Sequence, residues 1–264
     1  MIKYILTIFL VLCALSCGVK RENQFIARQV TIGTKVYNYR VYVPKDRPAE
    51  TKLPVMLYLH GSGARGDDNE AQIQGLNEYI AQNPERFSFI IVAPQCREDA
   101  FWVTEMTEQA LKALDETVKE FNGDDKRLYL TGYSLGGNGV WLTGALNSDK
   151  FAALIPIAGW AVPSPELTPH QRAPLSPELL ALFDAADPYQ AFAEKIGSTP
   201  VWVFHGAKDD VVPVEASRKM VDALKAAGNE NIKFTEYEND GHNIIAKPFN
   251  DPAFFEWLLK QRRN

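Results

Sequence analysis

A serine bracketed by glycines, in Gly132-Tyr133-Ser134-Leu135-Gly136, carries the strongest chemical signal in the chain. The run 126–131 (KRLYLT) before it reads as a short strand, and 137–146 (GNGVWLTGAL) after it reads as a helix. A G-x-S-x-G run between a strand and a helix is a nucleophile elbow, a sharp turn that exposes the serine hydroxyl at the end of a buried sheet. The glycines are needed because the turn leaves no room for neighbouring side chains, and the serine itself takes a strained backbone. The chemistry to expect is attack by the Ser134 hydroxyl on an acyl carbon.

A serine hydroxyl needs a base, and the base needs an orienting acid. The four histidines are His60, His170, His205 and His242. In elbow-type sites the chain order is Ser, then Asp or Glu, then His. His242 lies in a polar loop (238–243, ENDGHN) between the strand-like 232–237 and the final helix, free to reach the elbow. It is the expected base. The acid is sought after the buried-strand run 201–204, where His205-Gly206 opens a loop that holds both Asp209 and Asp210.

The oxyanion of an acyl-transfer intermediate requires two backbone N–H donors. One comes from the residue after the nucleophile, Leu135. The other is expected in His60-Gly61-Ser62-Gly63, after the apolar strand 53–59. Ser62 is the assigned donor, with Gly61 the nearest rival. His60 reads as a packed residue at the strand end.

Five segments together resemble the α/β-hydrolase superfamily. They are HGSGARGDDN (60–69), VAPQC (92–96) with Trp102, GYSLGG (132–137), HGAKDDVVP (205–213) and DGHN (240–243). More narrowly they are similar to the carboxylesterase/phospholipase and dienelactone-hydrolase-like group, which includes secreted bacterial esterases. The resemblance implies a serine esterase with no cofactor and no metal. Its acid loop runs H-G-x-x-D-x-x-V-P, which selects Asp209 and leaves Asp210 as a solvated turn residue or a cap for the helix starting near Val214.

The remaining pattern supplies the frame. Strands are expected at 25–32, 36–43, 53–59, 89–93, 126–131, 151–157, 201–204 and 232–237. Helices are expected at 71–82, 107–121, 137–146, 177–183, 188–196 and 253–260, with Ala110, Leu111, Leu114 and Val118 at helical spacing. Alternating strands and helices imply an α/β fold of the α/β-hydrolase type: a mostly parallel eight-stranded sheet with helices on both faces. The stretch 159–198, proline-rich in its first half, reads as a crossover that partly covers the site.

With 264 residues, 46% of them hydrophobic, one domain with a large core is the default. A net charge of −5 gives no electrostatic case for nucleic-acid binding. The apolar run 5–15 is too short to span a bilayer comfortably and reads as a signal peptide. Ala14-Leu15-Ser16-Cys17 resembles a lipobox, so residues 1–17 are expected to be a lipoprotein signal with Cys17 lipidated. Residues 18–25 would be a polar tether and 26–264 the catalytic domain. The expected location is exported and anchored to a membrane, on the periplasmic or outer-membrane face. Cys96, the one cysteine outside the signal, reads as a small buried packing residue.

For substrate contact the candidates are Trp102 and Trp160, both at strand ends facing the expected pocket. Arg65, Asp67 and Asp68 follow the oxyanion loop and are expected to brace it by a local ion pair. The functional expectation is cleavage of carboxylic esters through an acyl-enzyme, on acetyl or feruloyl esters of carbohydrates. The alternatives are a peptidase of the prolyl-oligopeptidase type, a lysophospholipase or thioesterase, and a non-catalytic binding lipoprotein on the same scaffold.

Overall fold

A computed structural model describes residues 25–45, 51–162 and 172–264. The signal expected at 1–17, with Cys17, residues 18–24 of the expected tether, and prolines 163, 165 and 169 lie outside the described residues; Phe25, expected to end the tether, begins β1.

Eight strands form one sheet: β1 (Phe25–Ile32), β2 (Lys35–Tyr42), β3 (Leu53–Leu59), β4 (Ile90–Pro94), β5 (Gly123–Tyr133), β6 (Ala153–Ile157), β7 (Val201–Gly206) and β8 (Ile232–Tyr237). Their order is β1-β2-β4-β3-β5-β6-β7-β8. The β1–β2 and β2–β4 pairs are antiparallel, and every other neighbouring pair is parallel. All residues of β3, β4 and β6 are buried, as strands covered on both faces must be.

The pleat sorts the apolar residues into two cores. Val55, Leu57, Leu59, Leu128 and Leu130 point to one face. Met56, Tyr58 and Tyr129 point to the other. The first face is covered by α2 (Glu105–Glu120), α3 (Leu135–Leu146), α4 (Pro177–Phe183), α5 (Pro188–Ile196) and α6 (Glu215–Ala226), through residues such as Leu114, Trp141, Leu182, Phe192 and Val221. The second is covered by α1 (Gln74–Gln82), α7 (Ala246–Asn250) and α8 (Pro252–Leu258), where Phe249, Phe254 and Phe255 form an aromatic cluster with Phe87. The crossover from β6 to β7 contains α4 and α5, each opened by a side-chain cap, Ser176 on the Leu179 N–H and Asp187 on the Gln190 N–H.

Beyond shifts of one or two residues at element ends, three departures from expectation stand out. β5 begins at Gly123, because Asp124 turns its charge to Arg127 and Arg262 and the polar residues stay in the strand. The helix expected from 71 starts as a single 3-10 turn, Ala71–Ile73, before α1. α7, a five-residue helix containing Pro248, was not expected at all.

Candidate active site

The elbow sits where β5 hands over to α3. Ser134 has φ 55° and ψ −115°, a conformation costly for a residue with a Cβ, by about 1–3 kcal/mol. Two hydrogen bonds hold it there. Its N–H donates to the Ile157 carbonyl at the end of β6 (2.9 Å), and its own carbonyl accepts the first helical bond from the Asn138 N–H (2.9 Å). Gly136 explains the glycine that follows. A Cβ there would lie 1.8 Å from the Leu59 carbonyl oxygen, so only glycine lets α3 begin against the end of β3.

His242 reaches the elbow from the loop after β8. That loop crosses the end of β7 closely enough that a Cβ on Gly206 would lie 2.2 Å from the Gly241 carbonyl. The Nε2 atom of His242 is 2.8 Å from Ser134 Oγ, and its Nδ1 is 2.7 Å from Asp209 Oδ2. A carboxylate only accepts, so Nδ1 carries the proton and donates to Asp209, leaving Nε2 to accept from the serine hydroxyl. The other oxygen of Asp209 accepts from the Val211 and Val212 N–H groups (2.9 and 2.8 Å). Burial pushes the Asp209 carboxyl upward, but the hydrogen bonds from His242, Val212 and Val211 outweigh it, and the group ends below the ordinary carboxylate range. Asp209 therefore presents a full negative charge to the imidazole. Asp210 is exposed and caps nothing: the side chain that closes the turn is that of Asp209, and α6 has no side-chain cap.

Tyr133 was not anticipated from sequence, since it fills the unspecified position of the motif. Its ring lies 5.2 Å from that of His242, and its hydroxyl donates to the His242 carbonyl (3.2 Å). Burial raises the phenol to about 12, so it stays a neutral donor.

The oxyanion-loop candidates are brought beside the elbow. Leu135 opens α3, where the first N–H groups have no partner within the helix. Ser62 opens a 3-10 turn, Ser62–Ala64, and Gly61 lies against Tyr133, with a Cβ there meeting the Tyr133 ring at 3.2 Å and the Tyr133 carbonyl at 3.3 Å.

Two expectations about neighbouring residues are corrected. Trp102 is fully buried and offers no ring to a bound molecule. Its indole N–H donates to the His60 carbonyl (3.0 Å), and its Cβ packs where a side chain on Gly139 of α3 would otherwise sit. It wedges the loop after β4 against α3. Arg65 makes no ion pair among the described residues. It holds the loop through the Ser62 and Ala100 carbonyls (both 3.3 Å) and lies over the exposed Phe101 ring. Asp68 instead accepts from the Glu70 and Ala71 N–H groups and from the Gln95 amide. Trp160 is half-buried, its carbonyl taken by the Asn138 amide (2.8 Å). Cys96 is a buried free thiol, raised to about 12 by burial, as its packing role requires.

The sequence profile of the prolyl oligopeptidase family matches residues 100–260, from the loop before α2 to just past α8. The chain belongs to that family. It is 28% identical over 211 residues to an uncharacterized secreted protein of Arthroderma benhamiae, covering 75% of this chain and 22% of that one. It is 28% identical over 130 residues to a bifunctional acetylxylan esterase/xylanase of Neocallimastix patriciarum, covering 45% of this chain and 17% of the relative. Among solved structures, a thermostable esterase superposes with a TM-score of 0.72 at 28% identity, over 92% of this chain and 64% of that one. The chain thus spans about a fifth of the length of these two curated relatives and under two thirds of the solved esterase. Such neighbours agree with the α/β-hydrolase fold and with its esterase group.

Proposed function

We propose that this family member is a serine hydrolase that cleaves carboxylic esters through an acyl-enzyme. The observation that carries the reading is the continuous path Ser134–His242–Asp209, with contacts of 2.8 and 2.7 Å on a strained elbow. Ser134 Oγ attacks the ester carbonyl as His242 Nε2 takes its proton. Asp209 keeps the imidazole in the Nδ1–H form and stabilises the imidazolium. The Leu135 and Ser62 N–H groups donate to the tetrahedral oxyanion. His242 returns the proton to the departing alcohol, and water, deprotonated by the same imidazole, releases the acid.

The substrate class is acetyl or feruloyl esters of carbohydrates. The acetylxylan esterase/xylanase relative supports the acetyl arm. Trp160, half-buried at the end of β6, is the aromatic surface for a sugar or aryl ring. The chain is exported, with 1–17 as a lipoprotein signal, Cys17 carrying the lipid, 18–25 as tether and 26–264 as the catalytic domain. The apolar run 5–15 with Ser16-Cys17 supports this, as does the secreted relative. Metabolic labelling with a fatty acid should mark the wild type and not Cys17→Ser.

Family membership favours one second reading, a serine peptidase. Initial rates decide between them. The panel holds p-nitrophenyl acetate, methyl ferulate, acetylated xylo-oligosaccharides and a proline-anilide peptide, each with wild type and Ser134→Ala. Ser134-dependent ester hydrolysis is expected. Turnover of the anilide alone would move the protein to the peptidases, and ester turnover undiminished in Ser134→Ala would overturn both readings.

A further inference from the structure

We infer that His60 is a positioning residue for the oxyanion hole: its imidazole fixes the direction of the Gly61–Ser62 peptide whose N–H meets the developing charge. The inference rests on the ester-hydrolase reading above and assigns a duty to a histidine outside the triad.

The geometry determines the tautomer. His60 Nε2 is 2.9 Å from the Cys96 N–H, which can only donate, so Nε2 accepts. A neutral ring then carries its proton on Nδ1, and that N–H donates to the Gly61 carbonyl at 2.7 Å. The same carbonyl also accepts from the Ala64 N–H (3.1 Å), which closes the 3-10 turn. In a planar trans peptide the C=O and N–H point in opposite directions. Drawing the Gly61 carbonyl inward to His60 therefore drives the Ser62 N–H outward, on the strand end that packs beside Tyr133 and the elbow. Gly61 has no side chain to resist rotation of this peptide, so the direction must be imposed from outside.

The imidazole is itself clamped. It is 1% exposed, its backbone carbonyl accepts the Trp102 indole N–H (3.0 Å), and the two rings meet edge to face at 5.0 Å. The Cys96 N–H ties it to the loop after β4, and Arg65 braces the far side of the turn through the Ser62 carbonyl.

Two amide substitutions separate the two ring nitrogens. In His60→Asn the amide nitrogen falls near the place of Nδ1 and can still donate to Gly61. In His60→Gln the amide oxygen falls near the place of Nε2, can accept from Cys96, and leaves the Gly61 carbonyl without this donor. The measurement is kcat and KM on p-nitrophenyl acetate, inhibition by a trifluoromethyl ketone, which forms an oxyanion on Ser134, and the melting temperature of each protein. The expected result is a kcat loss of about 10- to 100-fold in His60→Gln, with KM little changed, inhibitor affinity falling in parallel and at least partial rescue in His60→Asn. Equal kcat losses in the two variants, or losses that follow melting temperature, would overturn the inference. Absence of Ser134-dependent hydrolysis in the wild type would instead remove the ester-hydrolase reading, and the inference with it.

Discussion

Two parallel strands end in the same dipeptide: β3 runs into His60-Gly61 and β7 ends in His205-Gly206. Both imidazoles are fully buried, at 1% and 0% exposure, and neither is the proposed base. Burial lowers both below the ordinary histidine value, His60 to about 4. Their partners differ. Among the described residues, the His60 ring bonds only backbone groups, the Gly61 carbonyl and the Cys96 N–H, the contacts behind its proposed role in setting the direction of a peptide. His205 accepts from the Ser217 hydroxyl at Nδ1 (2.7 Å) and donates from Nε2 to the Val212 carbonyl (2.9 Å), with Asp209 Oδ2 at 3.2 Å on the same side. It ties the acid loop to α6 around a carboxylate. Although His205 and Asp209 lie within ion-pair distance, the lowered value of the imidazole makes the contact one between a neutral ring and a charge. A charged imidazole at His205 would compete with a His242 imidazolium for the Asp209 carboxylate. One device, a buried neutral histidine before a glycine, thus lies behind both proposed electrostatic arms of the site: the donors for the oxyanion and the anion behind the base.

The largest test of this division concerns the anion. Asp209→Asn should lower kcat by about 10⁴-fold, because an amide at that place no longer holds His242 in the Nδ1–H form. Asp210→Asn should change it by less than roughly twofold, as expected for an exposed side chain away from the bonded network. Initial rates on an ester substrate measure both. Comparable losses would mean that the carboxylate behind His242 is not the one bonded in this structure.

The next test sharpens what the two histidines share. A histidine whose folded value lies below its unfolded value is protonated first in the unfolded chain, so stability falls as pH drops through that interval. For His60, from 6.5 unfolded to about 4 folded, the loss amounts to about 3 kcal/mol, and His205 acts in the same direction. Asp209 works in a different window. Its folded value lies below 3.8, so its contribution is present above that pH and disappears only in stronger acid. Urea midpoints between pH 7 and pH 4.5 should therefore fall in the wild type and fall less steeply in His60→Gln. A variant slope as steep as the wild type's would show that the ring is already charged in the fold.

These braces also mark what the sequence could and could not reveal. The grouping of Ser134, Asp209 and His242 was legible because each combines a polar side chain with a turn signal at a strand end. The buried strands were legible because 53–59 and 201–204 are uninterrupted apolar runs. The His-Gly doublet was visible twice, but its duty depends on which carbonyl each ring meets, and that is decided by tertiary packing. Trp102 misled for the same reason. Its place after β4 suggested an exposed ring, yet the absence of a side chain on Gly139, 37 residues later, leaves room for the residue in the core. Arg65 beside Asp67 and Asp68 suggested an ion pair, and the loop instead presented the Ser62 and Ala100 carbonyls to the guanidinium.

The smallest expected effect completes the comparison. His205→Asn keeps an acceptor near Nδ1 for Ser217 by orienting its amide oxygen there, but removes the Nε2 donor that faces Val212 and Asp209. The acid loop retains other restraints. Asp209 still accepts from the Val211 and Val212 N–H groups at 2.9 and 2.8 Å and from His242 at 2.7 Å. Among the described residues, the Gly61 carbonyl has only the Ala64 N–H besides His60. The kcat loss in His205→Asn should thus be about 3- to 10-fold, below that of His60→Gln, since a carboxylate with three remaining donors stays close to its place. Inhibition by the trifluoromethyl ketone and ester turnover, measured side by side on the two variants, read this ranking directly. A larger loss in His205→Asn would reverse it, and would mean that the acid loop, not the oxyanion loop, is the less restrained arm of the site.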